Sequence, residues 1–148
     1  MAEWMVVQRL LLITLLAGCI GYERERQGRA AGLRTHILVG LGACLVMLTG
    51  LHLRATIQGS FDIDPTRMAA QVISGIGFLG AGTILQHRAS VRGLTTAASL
   101  WTVGGLGLAV GSGFLFAAVA ATIIVLVTLF GLAHLDRRIR NERSQRAP

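Results

Sequence analysis

The chain has no lysine and few acidic residues. All 14 of its basic residues are arginine, whereas aspartate and glutamate together number seven, which gives a formal net charge of +7. No carboxylate occurs between residues 26 and 61 or between residues 65 and 135. Because 53% of the 148 residues are hydrophobic and only 14% are charged, the composition is too apolar for a soluble domain and indicates a membrane protein.

Residues for metal, redox or enzymatic chemistry are also scarce. The two cysteines, Cys19 and Cys44, lie in apolar stretches without a CxxC pair, which argues against a disulfide scaffold or a structural zinc site. The four histidines are scattered, and no nucleophile–base group or phosphate loop is present. The pattern G75-x-G77-x-x-G80 has the spacing of a dinucleotide-binding motif. It lies in an apolar stretch with no strand before it, so it is not such a motif. We therefore expect no enzyme and no cofactor.

Long hydrophobic runs, in contrast, recur along the whole chain. At about 1.5 Å per helical residue, each is long enough to cross a hydrocarbon core of about 30 Å. We predict an all-α, polytopic transmembrane bundle forming a single domain over residues 1–148, with a basic tail at 136–148. The predicted spans are 4–22, 35–53, 68–86, 94–112 and 114–135. Because only residues 111–113 separate the last two, a four-span protein with a re-entrant fourth stretch is the alternative.

The arginines predict the orientation of these spans. With five spans and the N-terminus outside, eleven arginines face the cytoplasm and three face away, as the positive-inside rule requires. The stretch L15-L16-A17-G18-C19 looks like a lipoprotein cleavage site, but cleavage at Cys19 would place those eleven arginines outside. We therefore predict a multi-pass membrane protein with its N-terminus outside and its C-terminus in the cytoplasm. Its arginines would contact anionic lipids at the cytoplasmic face rather than nucleic acid.

Small residues recur at spacings of three and four in the third and fourth spans. This pattern lets helix backbones approach closely, which favours helix packing. The alternative is that the glycines loosen the helix so that its carbonyls line an ion path. The packing residues that we expect are Gly75, Gly77, Gly80, Gly82 and Gly105.

Polar residues collect where the first span meets the cytoplasm and along the third and fourth spans. Glu23 and its neighbours form either a solvated helix end or, with Glu23 paired to Arg34, a cytoplasmic pocket. His36 is more typical of a packed histidine than of a ligand. The candidate functional polar residues are Glu23, Arg24, Glu25, Arg34, Thr35, Arg67, Gln71, Ser74, Thr95 and Thr96.

Asp62 and Asp64 are the only acidic residues between the second and third spans. As hard oxygen ligands they would attract hydrated Mg²⁺, the one ion that the sequence suggests. Asp64 also suits the N-cap of a helix whose first residue is Pro65, and this role needs no ion.

Four blocks carry a resemblance to a known family. They are GCIGYERE at 18–25, AGLRTH at 31–36, RMAAQVISGIGFLGAG at 67–82 and GLTTAASLW at 93–101. In this order they resemble the MgtC/SapB family of bacterial membrane proteins. The resemblance implies an inner-membrane protein linked to survival in low magnesium and, in pathogens, to virulence inside macrophages. MgtC-type members carry a further soluble domain, so we expect a short member with the transmembrane domain alone.

Three functions are consistent with this sequence and its resemblance. The chain is a non-enzymatic regulator of another membrane complex such as a membrane ATPase, a direct Mg²⁺ transporter, or a self-associating scaffold. Mg²⁺ sheds water reluctantly and prefers oxygen ligands, whereas the middle of the spans contains no carboxylate. We therefore favour the regulator and expect a homo-oligomer. A site assembled between protomers would escape this argument against transport.

Overall fold

The structure, a computed structural model, describes residues 2–57, 64–87 and 90–145, with the side chains of residues 2–57, 64–84 and 91–131. Asp62, one of the two predicted Mg²⁺ ligands, lies outside the described residues. The five helices are α1 (Glu3–Arg26), α2 (Leu33–Thr56), α3 (Pro65–Gly82), α4 (Leu94–Ser112) and α5 (Leu115–Gln145). The prediction of an all-α helical bundle is confirmed.

Within the part of the chain that the structure describes, three helices are long and apolar enough to cross a membrane, judged by length and composition. They are α1, α2 and α4, and α5 contributes a shorter apolar helical stretch, Leu115–Gly131. Among the described residues, α3 does not meet this standard. The predicted five crossings therefore remain a prediction, although each predicted span does contain a helix.

The predicted third span, 68–86, is wrong at its end. α3 stops at Gly82, and an antiparallel hairpin follows, made of β1 (Leu85–His87) and β2 (Ser90–Arg92). The hairpin returns to α3 at Gly93, which has φ +91°, where a Cβ would lie only 1.9 Å from the Thr83 carbonyl oxygen. Only glycine fits there, because a side chain tolerates neither this backbone conformation nor this contact.

The core of the bundle lies where α1, α2 and α4 meet. Its hydrophobic cluster includes the fully buried Ile13, Cys44 and Val103, and α2 and α4 touch through their backbones. A Cβ on Gly107 would lie 2.5 Å from the Gly40 carbonyl oxygen, and one on Gly111 would lie 2.8 Å from the Cys44 carbonyl oxygen. Such close approach is the main source of packing energy between helices in lipid.

Most of the predicted packing glycines do not pack within one chain. In the described part of the structure, a Cβ on Gly75, Gly77, Gly82 or Gly105 would meet nothing within 4 Å, whereas one on Gly80 would lie 3.5 Å from Ala97. The physical reason is that α3 contacts α4 through another face, on which Ile76 fills the space above Gly104. Within one chain, Gly80 alone of the five predicted glycines packs against another described helix, and a packing role for the other four stays a prediction.

Candidate functional site

One end of the bundle is basic, and it contains the candidate site. α1 and α3 end here, and α2 and α4 begin here. We call it the basic end, since its exposed arginines are Arg26, Arg29, Arg34 and Arg92. The site itself lies beneath this surface, among polar side chains of α1, α2 and α4.

Glu23 and Arg24 are buried side by side in the last turn of α1. Their side chains are 1% and 2% exposed, and Arg24 Nη1 lies 3.7 Å from Glu23 Oε2. Gln27 Nε2 donates a hydrogen bond to the other carboxylate oxygen, Glu23 Oε1. Glu23 Oε2 and Arg24 Nε and Nη2 are buried without a hydrogen-bond partner. The pair is therefore an incompletely satisfied buried ion pair, an arrangement that costs stability.

A glycine on α1 allows α2 to approach closely just before the charged pair. A Cβ on Gly21 would lie 2.8 Å from the Leu33 Cα atom and 3.0 Å from the His36 Cβ atom. With glycine at this position, the first turn of α2 lies directly against α1. The two helices therefore meet tightly beside the turn that carries Glu23 and Arg24.

Glu25 joins the end of α1 to the start of α2. Its Oε2 atom accepts a hydrogen bond of 2.7 Å from the Leu33 backbone N–H. This N–H belongs to the first turn of a helix, where donors lack partners within the helix and a negative charge is favourable. Glu25 therefore acts as a cap for α2, supplied from a neighbouring helix.

His36 connects α2 to α4 at the same depth. Its ring is fully buried, with Nδ1 2.8 Å from the Gly32 carbonyl oxygen and Nε2 3.0 Å from Ser99 Oγ. Because a carbonyl oxygen only accepts, Nδ1 must carry a proton. Ser99 Oγ also donates a hydrogen bond of 2.8 Å to the Thr96 carbonyl oxygen, so it contacts both His36 and the backbone of α4. We call Glu23, Arg24, Gln27, His36 and Ser99 the polar cluster.

At the opposite end, Asp64 caps α3 as predicted. Its Oδ1 atom accepts hydrogen bonds from the Thr66 backbone N–H at 2.8 Å and from Thr66 Oγ1 at 2.7 Å. These hydrogen bonds hold the pKa of Asp64 below its ordinary value, and the charges of Arg54 and Arg67 act in the same direction. Across the residues described, no three histidine, cysteine or acidic side chains are grouped to hold a metal ion.

The structure brings only part of the predicted polar set together. Glu23 and Arg24 lie in the polar cluster, and Glu25 and the buried Thr96 lie beside it. The predicted pairing of Glu23 with Arg34 is wrong, because Arg34 is exposed and Glu23 faces Arg24. The remaining predicted polar residues have exposed side chains and lie outside the cluster. They are Thr35, Arg67, Gln71, Ser74 and Thr95.

Three residues of the polar cluster were not among the predicted functional residues. Gln27 follows Glu23 by four residues, which places both on one face of a helix and was a readable signal. Ser99 follows Thr96 by three residues on α4 and carries the same kind of signal. His36 was predicted to be a packed histidine, and its burial agrees with that, but nothing in its local sequence indicates the bond to Ser99.

These observations define an integral membrane protein built as a helical bundle, with buried charges at its basic end. Residues 10–138 match the family model described as the MgtC family, and the chain belongs to that family. No solved structure matches the chain.

Curated relatives resemble the chain over most of its length. It is 39% identical over 144 residues to the Escherichia coli K12 protein named "Putative magnesium transporter YhiD", covering 95% of this chain and 66% of that protein. It is 44% identical over 133 residues to Protein MgtC of Salmonella typhimurium LT2, covering 90% of this chain and 54% of that protein. The chain thus spans between about half and two-thirds of the length of these relatives.

Proposed function

We propose that the chain acts in magnesium homeostasis as a non-enzymatic regulator of another membrane complex, such as a membrane ATPase. Membership of the MgtC family and a relative named for magnesium transport support the link to magnesium. In this proposal the protein is a multi-pass protein of the bacterial inner membrane, with its N-terminus outside and its basic end at the cytoplasm. The arginines at that end support this orientation.

The packing of the α1–α2–α4 core supports a regulatory role rather than transport. Between the polar cluster and the opposite end, the core where these three helices meet consists of apolar residues such as Ile13, Val103 and Val110, and the buried Thr122 on α5 bonds to the Ala118 carbonyl of its own helix. The helix backbones touch at Gly40 and Gly107. An ion path through this interior would have to separate these contacts and replace apolar side chains by oxygen ligands, which a hydrated divalent ion requires. A rigid, closed core suits a protein that acts through its surface.

Direct Mg²⁺ transport is the second candidate, and the open face of α3 favours it. Among the described residues, nothing lies within 4 Å of a Cβ placed on Gly75, Gly77 or Gly82, so the α3 backbone is accessible there. Its carbonyls are bonded within the helix, and an ion path along α3 would use their second lone pairs as ligands. In this alternative, the path lies between α3 helices of neighbouring copies in a homo-oligomer.

Mg²⁺ flux into proteoliposomes of the purified protein tests the choice. We expect no flux above that of empty liposomes, read with an internal Mg²⁺ dye. Folding is verified in the same vesicles by thiol labelling of a Cys19→Ser variant, in which Cys44 is buried until the protein unfolds. Flux that Gly77→Leu abolishes, while Gly131→Leu leaves it unchanged, would establish transport along α3 and overturn the proposal.

A complementation assay tests the regulatory role itself. In a strain that lacks the gene, we expect the wild-type chain to restore growth in low magnesium. We expect Glu23→Gln, which disrupts the buried pair, to lose this function even when its expression is raised until its protein level matches the wild type. Glu3→Gln, a matched change in an exposed residue at the opposite end, should keep the function. Equal growth with all three chains would contradict a role for the polar cluster.

A further inference from the structure

A continuous apolar groove runs along the outside of the bundle between α2 and α3. Two cavities of about 380 Å³ each share Val39 and Leu79 and therefore adjoin. Each is within the size range of small-molecule sites, about 300–1,000 Å³. We call them together the α2–α3 groove. It runs from Thr35 and Thr83 at the basic end to Val46 and Val72.

The groove exists because, in this region, α3 packs against α4 rather than against α2. Near the groove α3 contacts α4, where Ile76 lies over Gly104 and Gly80 lies against Ala97. In the groove walls, Gly42 on α2 and Gly75 on α3 would each carry a Cβ into open space. Two missing side chains facing the same gap keep it open along its length.

The dimensions of the groove match one leaflet of a bilayer. Along α2 it extends from Thr35 to Val46, about 17 Å at the helical rise of about 1.5 Å per residue. One leaflet contributes roughly half of a hydrocarbon core of about 30 Å. A groove of this length, open on its side, has room for an extended acyl chain.

A positive charge lies at the end of the groove where a lipid headgroup would be. Arg34 precedes Leu38 and Gly42 by four and eight residues, so it lies on the groove face of α2, and its side chain is exposed. A guanidinium binds phosphate oxygens through several N–H groups at once. Arg92, at the end of the hairpin, adds a second exposed positive charge at the same end of the bundle.

We propose that the α2–α3 groove is a binding site for an anionic phospholipid of the leaflet at the basic end. One acyl chain lies in the groove, and the phosphate contacts Arg34. A second copy of the chain fits less well, because two copies meeting side by side through this groove would bring their Arg34 side chains together. Repulsion between these like charges favours an anion as the occupant.

Native mass spectrometry of the protein in mild detergent tests this proposal, with dioleoyl phosphatidylglycerol and dioleoyl phosphatidylcholine as probes. We expect one phosphatidylglycerol to remain bound per chain at activation energies that strip phosphatidylcholine. Gly42→Leu and Gly75→Leu, which fill the groove from opposite walls, should each lower occupancy at least fivefold. Gly131→Leu, a matched change at another open glycine, should leave it unchanged.

The headgroup contact is tested by a second pair of variants. Arg34→Gln should still bind a lipid but should lose the preference for phosphatidylglycerol. Arg26→Gln removes the same charge from the same end of the bundle and should keep this preference. Equal retention of both lipids by the wild type, or full occupancy in both groove-filling variants, would overturn the proposal. So would a dimer that Gly42→Leu and Gly75→Leu dissociate, since a second copy would then fill the groove.

Discussion

The close contact between α2 and α4 predicts that one added methyl group at Gly107 destabilises the protein. In Gly107→Ala the added Cβ would lie 2.5 Å from the Gly40 carbonyl oxygen and 2.7 Å from the Ala43 Cβ atom. The first of these neighbours is helix backbone, so neither a rotamer change nor a small shift relieves the contact. Overpacking of this kind costs about 1–3 kcal/mol, because the two helices must separate.

Gly105→Ala is the matched control for this substitution. It adds the same methyl group to the same helix two residues away, where nothing lies within 4 Å of the new atom. Both changes replace glycine by a better helix former, so any difference between the two variants reports the helix contact alone.

Thermal unfolding in detergent measures the difference, with Cys44 as the reporter. In a Cys19→Ser background Cys44 is the only thiol, and it is buried until the helices part. A thiol-reactive dye therefore becomes fluorescent on unfolding. At roughly 4 °C per kcal/mol, Gly107→Ala should melt about 4–12 °C below Gly105→Ala. Equal midpoints would refute the close approach of α2 and α4 and the argument for a closed core that depends on it.

The same thiol assay tests the site at each end of the bundle. Glu25→Ala removes the cap from the Leu33 N–H and should cost about 1 kcal/mol, a loss that Glu25→Gln restores in part; no loss would contradict the cap. Glu23→Gln leaves the Arg24 charge buried alone and should lower the free energy of unfolding by about 3–5 kcal/mol. The double change Glu23→Leu with Arg24→Met removes both charges and should recover most of this loss. A double variant less stable than Glu23→Gln would argue against a strained pair. The lowered pKa of Asp64 means that its stabilisation is complete above the ordinary value of 3.8 and is lost as pH falls through the lower folded value. Asp64→Asn should remove this acid-sensitive part of the melting curve, and an unchanged curve would exclude Asp64 as its source.

The helices were predictable from the sequence because their apolar runs have the length that a bilayer demands. The end of the third helix was not, since residues 83–86 are as compatible with a helix as with a strand. The structure settles this through a tertiary requirement, the tight approach of Gly93 to the Thr83 carbonyl. Likewise, the spacing of small residues is as good at Gly77 as at Gly107, and only the position of the neighbouring helix decides which of them packs.

The candidate site, too, was predictable from the sequence only in part. A polar end of α1 was readable from Glu23, Arg24 and Glu25, but their differing environments were not. Burial of the first two is set by the tertiary packing of the bundle, and the role of Glu25 depends on where α2 begins. Ser99 joins His36 across 63 residues of sequence, a distance at which local patterns carry no information.

The contact between Arg9 and the far end of α4 has a consequence for biosynthesis. Arg9 Nη1 donates a hydrogen bond of 2.7 Å to the Gly111 carbonyl oxygen, 102 residues later in the chain. The surfaces of α1 and α2 that meet α4 therefore cannot pack against it until α4 has been synthesised. At roughly 5–20 residues per second this wait lasts several seconds. We therefore expect α1 and α2 to reach their final packing only after α4 has been made, even if they pair with each other earlier.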